Sequence, residues 1–301
     1  MKTKKLVSII TINYKQAQVT NELLASLQKV DWPNVEIIVV DNGYDPSAET
    51  ESIDYYNNLK IIRSKKNLGF AGGNNLGICH AKGDYILLLN NDTVVKSDVI
   101  NHMVELLESN PLIGAVSPLI KYWDNPSYIQ YAGFTPMHKV TQRIKAIAHK
   151  QQDIGQYNRP QRTNFAHGCA VMIPKKIIRE VGLMQEDYFL YYEEHDWSQR
   201  IKNASYQIYL QPKSVVLHKE SISTGKGSTL KTYFLNRNRI KFMQRHSKGF
   251  DKVLSYLYLT FISIPANLIR YTLSGRLNHL NAYADAIFCA LTHKTSRQWK
   301  F

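Results

Sequence analysis

Asp92 closes the run Leu-Leu-Leu-Asn-Asn-Asp-Thr at residues 87–93, and a carboxylate so placed could hold a hard divalent cation. The leucines end a buried strand, and Asn90, Asn91 and Asp92 emerge at its carboxyl end. Mg2+ or Mn2+ takes one or two carboxylates together with substrate phosphates, so Asp92 could hold an ion that bridges a diphosphate. Asn90 stands where a second Asp would make a firmer site, which predicts weak cation binding without the phosphate ligand. His218 ends the strand-like Val-Val-Leu-His and could add a neutral imidazole. Glu193, Glu194 and Asp196, among the aromatics of residues 188–201, crowd the start of a helix. One of these acids, partly desolvated, could act as a general base toward a hydroxyl, a role worth roughly 10²–10⁴ in rate. Each cluster also has a plain structural use. Asn-Asn-Asp makes turns, acids cap helix N-termini, and a lone histidine usually sits in a core or on a surface.

Two further clusters suit a nucleotide. Thr11, Asn13, Asp41 and Asn42 close the first two strands, where a carboxylate can accept a pyrimidine N–H and amides can orient a ribose or base. Residues 67–77, Asn-Leu-Gly-Phe-Ala-Gly-Gly-Asn-Asn-Leu-Gly, lie at a loop-to-helix transition. Their glycines permit close backbone approach, the helix N-terminus offers N–H groups to an anion, and Asn67, Asn74 and Asn75 offer amides. The segment is neither a GxGxxG fingerprint nor a P-loop, and it also reads as a flexible turn.

These residues need a scaffold of strand ends. Residues 6–12, 35–40, 59–63 and 85–89 are short apolar runs, the first two too continuous for a strand with one wet face. Helical patterns intervene around Val19–Leu27, at 47–58, from near Gly73 and at 98–108. The alternation predicts right-handed crossovers and a doubly wound, mostly parallel α/β sheet, with ligands beyond the carboxyl ends of its strands. An irregular stretch is expected from Ser117 to about residue 160. A strand at 165–173, helices from Lys175 and Glu194, short strands at 206–210 and 214–217, and a basic helix at 228–247 follow. The pattern divides the chain into an α/β domain over 1–220, whose rhythm changes near residue 117, and a basic helical region over 221–301.

Cys79, Cys169 and Cys289 form no CxxC pair and leave an odd thiol under any pairing, which points to a reducing compartment. The net charge of +14 is concentrated at the end of the chain, where residues 219–301 hold fourteen Lys or Arg against three acids. Nucleic acid, an anionic membrane surface or a phosphorylated substrate would each suit such a tail. No nucleic-acid reading motif is present, and apolar segments between Val253 and Leu291 argue against that partner. Pro265 and Asn267 break the longest apolar run short of the roughly 20 residues a bilayer span needs, so interfacial helices are expected. Helices capping the catalytic domain, or an oligomer interface, would account for the same pattern.

The ordered set Val-Ser-Ile-Ile-Thr-Ile-Asn-Tyr, Val-Val-Asp-Asn-Gly, the Gly/Asn segment, Leu-Leu-Asn-Asn-Asp-Thr, Gly-Cys-Ala-Val-Met-Ile-Pro, Phe-Leu-Tyr-Tyr-Glu-Glu-His-Asp-Trp and Val-Leu-His-Lys-Glu-Ser resembles the family 2 inverting glycosyltransferases, above all their bacterial rhamnosyltransferase-like branch. The resemblance covers about residues 5–245 and implies a GT-A fold, a nucleotide-diphosphate-sugar donor, a divalent metal and single displacement with inversion. It makes Thr11, Asn13 and Asp41 nucleoside contacts, and Asn67, Gly72 and Asn74 a donor-binding turn. Asn90 and Asp92 fall on the family's DxD motif, which assigns Mg2+ or Mn2+ chiefly to Asp92 and His218, with Asn91 and Glu193 beside the donor. Glu194 takes the place of the base, with Asp196 as its rival, and Arg237 and Arg239 face donor phosphates or a lipid diphosphate. The implied donor is dTDP-L-rhamnose, with UDP-galactofuranose or UDP-hexoses as alternatives. The implied acceptor is a lipid-linked or polysaccharide glycan at the cytoplasmic face of a bacterial membrane. An inactive nucleotide-sugar binding protein is the rival from another class.

Overall fold

In the computed structural model, residues 4–46, 53, 56–219 and 227–292 are described. The chain divides into two compact units: residues 1–135, 145–189 and 193–223, and residues 136–144, 190–192 and 224–301.

Among the described residues, the first unit carries β1 (Val7–Asn13), α1 (Ala17–Leu27), β2 (Val35–Asn42), β3 (Leu59–Ser64), α2 (Gly69–His80), β4 (Tyr85–Leu89), β5 (Thr93–Val95) and α3 (Val99–Ser109). It continues with β6 (Ile113–Tyr122), β7 (Tyr128–Tyr131), β8 (Gln151–Gln152), β9 (Gln161–Thr163), β10 (Ala170–Pro174), α4 (Lys175–Val181), α5 (Glu193–Asn203) and β11 (Gln207–His218). One sheet runs β3-β2-β1-β4-β10-β6-β11-β5, with β7, β8 and β9 attached at its margins. The pairs β3–β2, β2–β1, β1–β4 and β6–β11 are parallel, while β10 lies antiparallel between β4 and β6.

The central strands β1, β2 and β4 are largely apolar because both faces are covered. On one face Ile10, Ile38, Val40, Ile86 and Leu88 pack with Ala71 and Ile78 of α2, Ile177 and Ile178 of α4, and Trp197 and Ile201 of α5. Their neighbours in the strands, Ile9, Ile37, Val39 and Leu87, are buried as well. Glycines set how close α2 comes: a methyl group on Gly77 would lie 2.4 Å from Ile10 Cγ2, and one on Gly73 2.8 Å from Ile12 Cδ1.

Several expectations are corrected. The helix expected from Gly73 starts at Gly69, whose φ of +69° lies in the left-handed region that favours glycine. Ser117 does not start an irregular stretch, because β6 runs from Ile113 to Tyr122 with Pro118 inside it. The strand expected at 165–173 starts only at Ala170, and the two short strands after residue 205 are one, β11, with irregular pairing between Gln211 and Val215. The helix expected at 47–58 falls mostly outside the described residues.

The second unit holds α6 (Thr229–His246), α7 (Gly249–Tyr258), a π-helical turn (Leu259–Ser263), α8 (Ile264–Leu273) and α9 (Leu277–Thr292). Pro265 lies directly after the π-helical turn and the helix runs on through it, so the apolar run is not broken there. Gly249–Leu273 instead forms 25 continuous helical residues of mean hydropathy 1.3 over its most apolar window, long and apolar enough to cross a membrane. Asn238 of α6, fully buried, donates its amide to the carbonyls of Leu190 and Tyr191, each at 2.7 Å, and the Tyr192 hydroxyl donates to the Gln142 carbonyl at 2.9 Å.

Candidate active site

The carboxyl ends of β1, β2 and β4 are joined by one chain of hydrogen bonds. The register sets Asn13 opposite Asp41, and Asn13 Nδ2 donates to Asp41 Oδ1 at 2.9 Å. Asn13 Oδ1 lies 2.9 Å from the Thr20 hydroxyl, which in turn accepts from Asn91 Nδ2 at 3.1 Å. Thr20, on α1, thus couples the ends of β1 and β2 to the loop after β4, and no local motif marks it. Thr11 is fully buried, and its hydroxyl has no protein hydrogen-bond partner.

Asn67 is tied to Asn42: Asn42 Nδ2 donates to Asn67 Oδ1 at 3.0 Å, while Asn42 Oδ1 accepts from Leu68 N at 2.8 Å. Gly69 then passes so close to Phe189 that a methyl group on it would lie 2.4 Å from that residue's carbonyl oxygen. The amides further along α2 are used inside the protein. Asn74 bonds back to the Phe70 carbonyl at 3.0 Å, and Asn75 donates to both Met184 O and Glu186 Oε1 at 2.9 Å. A methyl group on Gly72 would fall 2.9 Å from Leu68 Cβ and 3.7 Å from the Glu186 carboxyl carbon.

Asn90, Asp92 and Glu194 converge on the loop His167–Cys169. Asn90 N donates to the Cys169 carbonyl at 2.8 Å, and the Cys169 thiol is pushed well up by burial and then by the Asp92 charge. On the adjacent residue, a methyl group on Gly168 would sit 3.6 Å from Glu194 Cγ. Glu194 Oε1 lies 3.7 Å from His195 Nδ1, and the buried Glu194 Oε2 has no hydrogen-bond partner. His167 stacks on Phe134, with ring centroids 5.7 Å apart. Burial first, and then the nearby His218 and His195, hold its pKa down to about 3.

The other acids of α5 differ from Glu194. Asp196 Oδ2 accepts from Arg200 Nε at 2.8 Å, and Arg200 continues to the carbonyls of Val181 and Leu183, each at 2.7 Å. Asp196 is therefore built into the packing of α5 against the segment after α4. Glu193 is buried in the first turn of α5, where the helix dipole favours a negative charge. Arg237 and Arg239 lie in the second unit and find partners there. Arg237 stacks over Phe234 at 4.9 Å, and the buried Arg239 donates to the Ser263 hydroxyl at 3.1 Å.

Asp92, just ahead of β5, and His218 of β11, 126 residues apart in sequence, meet where these two strands pair through Thr93 and His218, with Asp92 Oδ1 3.2 Å from His218 Nε2. The geometry falls short of a hydrogen bond, and Asp92 Oδ1 is a buried oxygen without such a partner. Among the described residues no group of three or more His, Cys, Asp or Glu could hold a metal ion. A carboxylate with one open oxygen beside one imidazole nevertheless suits a hard cation that draws its remaining ligands from water and a diphosphate.

A family model, Glycosyl transferase family 2, matches residues 8–182. The chain is 24% identical over 292 residues to "Low-salt glycan biosynthesis hexosyltransferase Agl10" of Haloferax volcanii, covering 95% of this chain and 90% of that one. It is 23% identical over 242 residues to "N-acetylglucosaminyl-diphospho-decaprenol L-rhamnosyltransferase" of Mycobacterium tuberculosis, covering 73% of this chain and 78% of that protein. Among solved structures, GalNAc-T7 with UDP, GalNAc and Mn2+ superposes with a TM-score of 0.63 at 17% identity over 86% of this chain, which spans only 54% of the length of that one. The sheet order and these likenesses give the fold as GT-A, and the family match over more than half of its length makes this chain a member of glycosyl transferase family 2.

Proposed function

We propose that the protein is an inverting, metal-dependent glycosyltransferase that moves a hexose from a nucleotide-diphosphate donor to a hydroxyl of a lipid-linked or polysaccharide acceptor. The observation that carries this reading is the buried Oε2 of Glu194, which has no hydrogen-bond partner, on a side chain beside Gly168 of the loop that also fixes Asn90. In this reading Glu194 takes the proton of the acceptor hydroxyl as that oxygen attacks the anomeric carbon. The bond to the diphosphate breaks on the opposite side, so the configuration inverts without a covalent intermediate. Asn13 and Asp41 hold the nucleoside, and the Asn42–Asn67 pair fixes the turn beside it. Asp92 and His218 hold Mg2+ or Mn2+, which when bound would neutralise charge gathering on the departing diphosphate. L-Rhamnose from dTDP-L-rhamnose is the donor favoured, because one relative carries that activity in its name; UDP-galactofuranose and UDP-hexoses are the alternatives.

The test is Glu194→Gln with a panel of nucleotide sugars. Donor binding should stay within a few-fold of wild type while transfer falls by roughly 10²–10⁴. Full transfer by that variant would remove Glu194 from the role. Unimpaired metal-dependent donor binding with no transfer by the wild type to any acceptor would favour a binding protein.

The proposed acceptor sits in a membrane, and the second unit supplies the matching surface. Along Gly249–Leu273 the side chains of Phe250, Val253, Leu257, Phe261, Ile269 and Leu273 are exposed, whereas Ser255, Leu259, Ser263 and Tyr271 are buried. A helix apolar on its outer side and packed on its inner side suits one lying in the headgroup boundary, with the exposed Lys248, Arg270 and Arg276 toward anionic lipid. This reading puts the protein peripherally at the cytoplasmic face of the membrane.

A further inference from the structure

Gln130 is a buried residue of β7, between the fully buried Ile129 and Tyr131. Its Oε1 lies 2.8 Å from His218 Nδ1, on the opposite side of the ring from Asp92. A neutral imidazole carries a single N–H, and a carbonyl oxygen can only accept, so the proton at this pair belongs to Nδ1. The Nε2 lone pair then points at Asp92 Oδ1 across 3.2 Å, at an oxygen that has no hydrogen-bond partner. Two acceptors facing each other repel, and a cation between them turns that repulsion into two ligand bonds.

We propose that Gln130 is a positioning residue that holds His218 in the Nδ1–H tautomer and so keeps Nε2 open to a divalent cation shared with Asp92. The inference rests on the reading of Asp92 and His218 as the cation pair. The strands fix the geometry. Registered pairing sets His218 of β11 beside Tyr122 of β6, and β7 returns along β6 to bring Gln130 to the far side of the ring. The Gln130 backbone carbonyl lies 3.3 Å from His149 Nδ1, a further tie that holds the strand in place. An ordinary His–Asp ion pair is the competing arrangement, and it requires a proton on Nε2.

The decisive measurement is a long-range ¹H–¹⁵N correlation spectrum of the metal-free protein at pH 8, with the His218 signals assigned from His218→Ala. The Nδ1–H pattern is expected in the wild type and in Gln130→Glu, which keeps an acceptor at this position, and it should be lost in Gln130→Leu. Titration with Mn2+ alone, read by the loss of its free-ion electron paramagnetic resonance signal, should show roughly 10–100-fold weaker binding in Gln130→Leu and near wild-type binding in Gln130→Glu. A proton on Nε2 in the wild type, or unchanged Mn2+ affinity in a folded Gln130→Leu, overturns the proposal. Mn2+ affinity untouched by both Asp92→Ala and His218→Ala would instead sink the metal assignment, whatever tautomer is seen.

Discussion

Asp196 and Arg200 form a nearly buried ion pair one helical turn apart, and Arg200 reaches on to two carbonyls at the end of α4. The pair separates two acids that sequence alone leaves as rivals, since Asp196 is held by a partner and Glu194 Oε2 has no hydrogen-bond partner. Asp196→Asn should lower stability by about 1–3 kcal/mol, seen as a reduced Tm, and should leave kcat close to wild type in protein that remains folded. A large loss of kcat with an unchanged Tm would restore Asp196 as the base.

Asp92→Ala should remove the metal dependence of donor binding. Titrations of UDP or dTDP with and without Mn2+ would coincide in this variant, while in the wild type Mn2+ should tighten binding about tenfold or more. An undiminished Mn2+ effect in the variant would place the cation elsewhere.

Gly69→Ala should be far more damaging than a glycine-to-alanine change inside an ordinary helix. The new methyl would meet the Phe189 carbonyl at 2.4 Å, with φ already at +69°. We expect a cost of about 3 kcal/mol or more in urea denaturation, combining left-handed backbone strain with overpacking. Gly155→Ala is a control for φ alone, since its φ is +82° and nothing lies within 4 Å; its cost should be about 1 kcal/mol.

Stability should fall as the solution is acidified, with His167 as a major cause. Its folded pKa of about 3 lies below the ordinary value of 6.5, so between these pH values the unfolded chain binds a proton that the folded chain refuses. The contribution is complete above pH 6.5 and falls with pH, reaching a loss of about 2 kcal/mol at pH 5. Urea midpoints at pH 7.5 and pH 5 should differ less in His167→Gln than in the wild type. Equal pH dependence in the two would exclude His167 as the source.

Membrane association should need both the apolar face and the basic residues. Flotation with vesicles containing anionic lipid should recover the wild type at low salt and recover less at high salt, and Phe261→Asp with Ile269→Asp should abolish it. Equal recovery on neutral vesicles at any salt would contradict the electrostatic part.

The central strands were legible because β1, β2 and β4 are unbroken apolar runs, which only a sheet covered on both faces demands. β6 was not, since Gly114, Ser117 and Pro118 interrupt its pattern and its stability comes from β11, about 90 residues later. The acids of the site could be read because each follows a strand or opens a helix. Thr20 and Gln130 could not, since their roles arise only from contacts 71 and 88 residues away. The glycines of α2 misled in part: Gly73 and Gly77 admit the side chains of β1. Pro265 misled in the other direction, because the helix runs on through it directly after the π-helical turn Leu259–Ser263.

The second unit is not a segment that can be trimmed from the end of the chain. It takes in Pro136–Ile144 and Leu190–Tyr192, and its Asn238 satisfies the Leu190 and Tyr191 carbonyls just ahead of Glu193. A truncation after residue 223, the obvious choice for anyone seeking a minimal soluble enzyme, would strip those two carbonyls of their donor and leave the lead-in to α5 to find another conformation. Poor yield or weak activity from such a fragment would reflect this severed support, even if no residue beyond 223 ever touches a sugar.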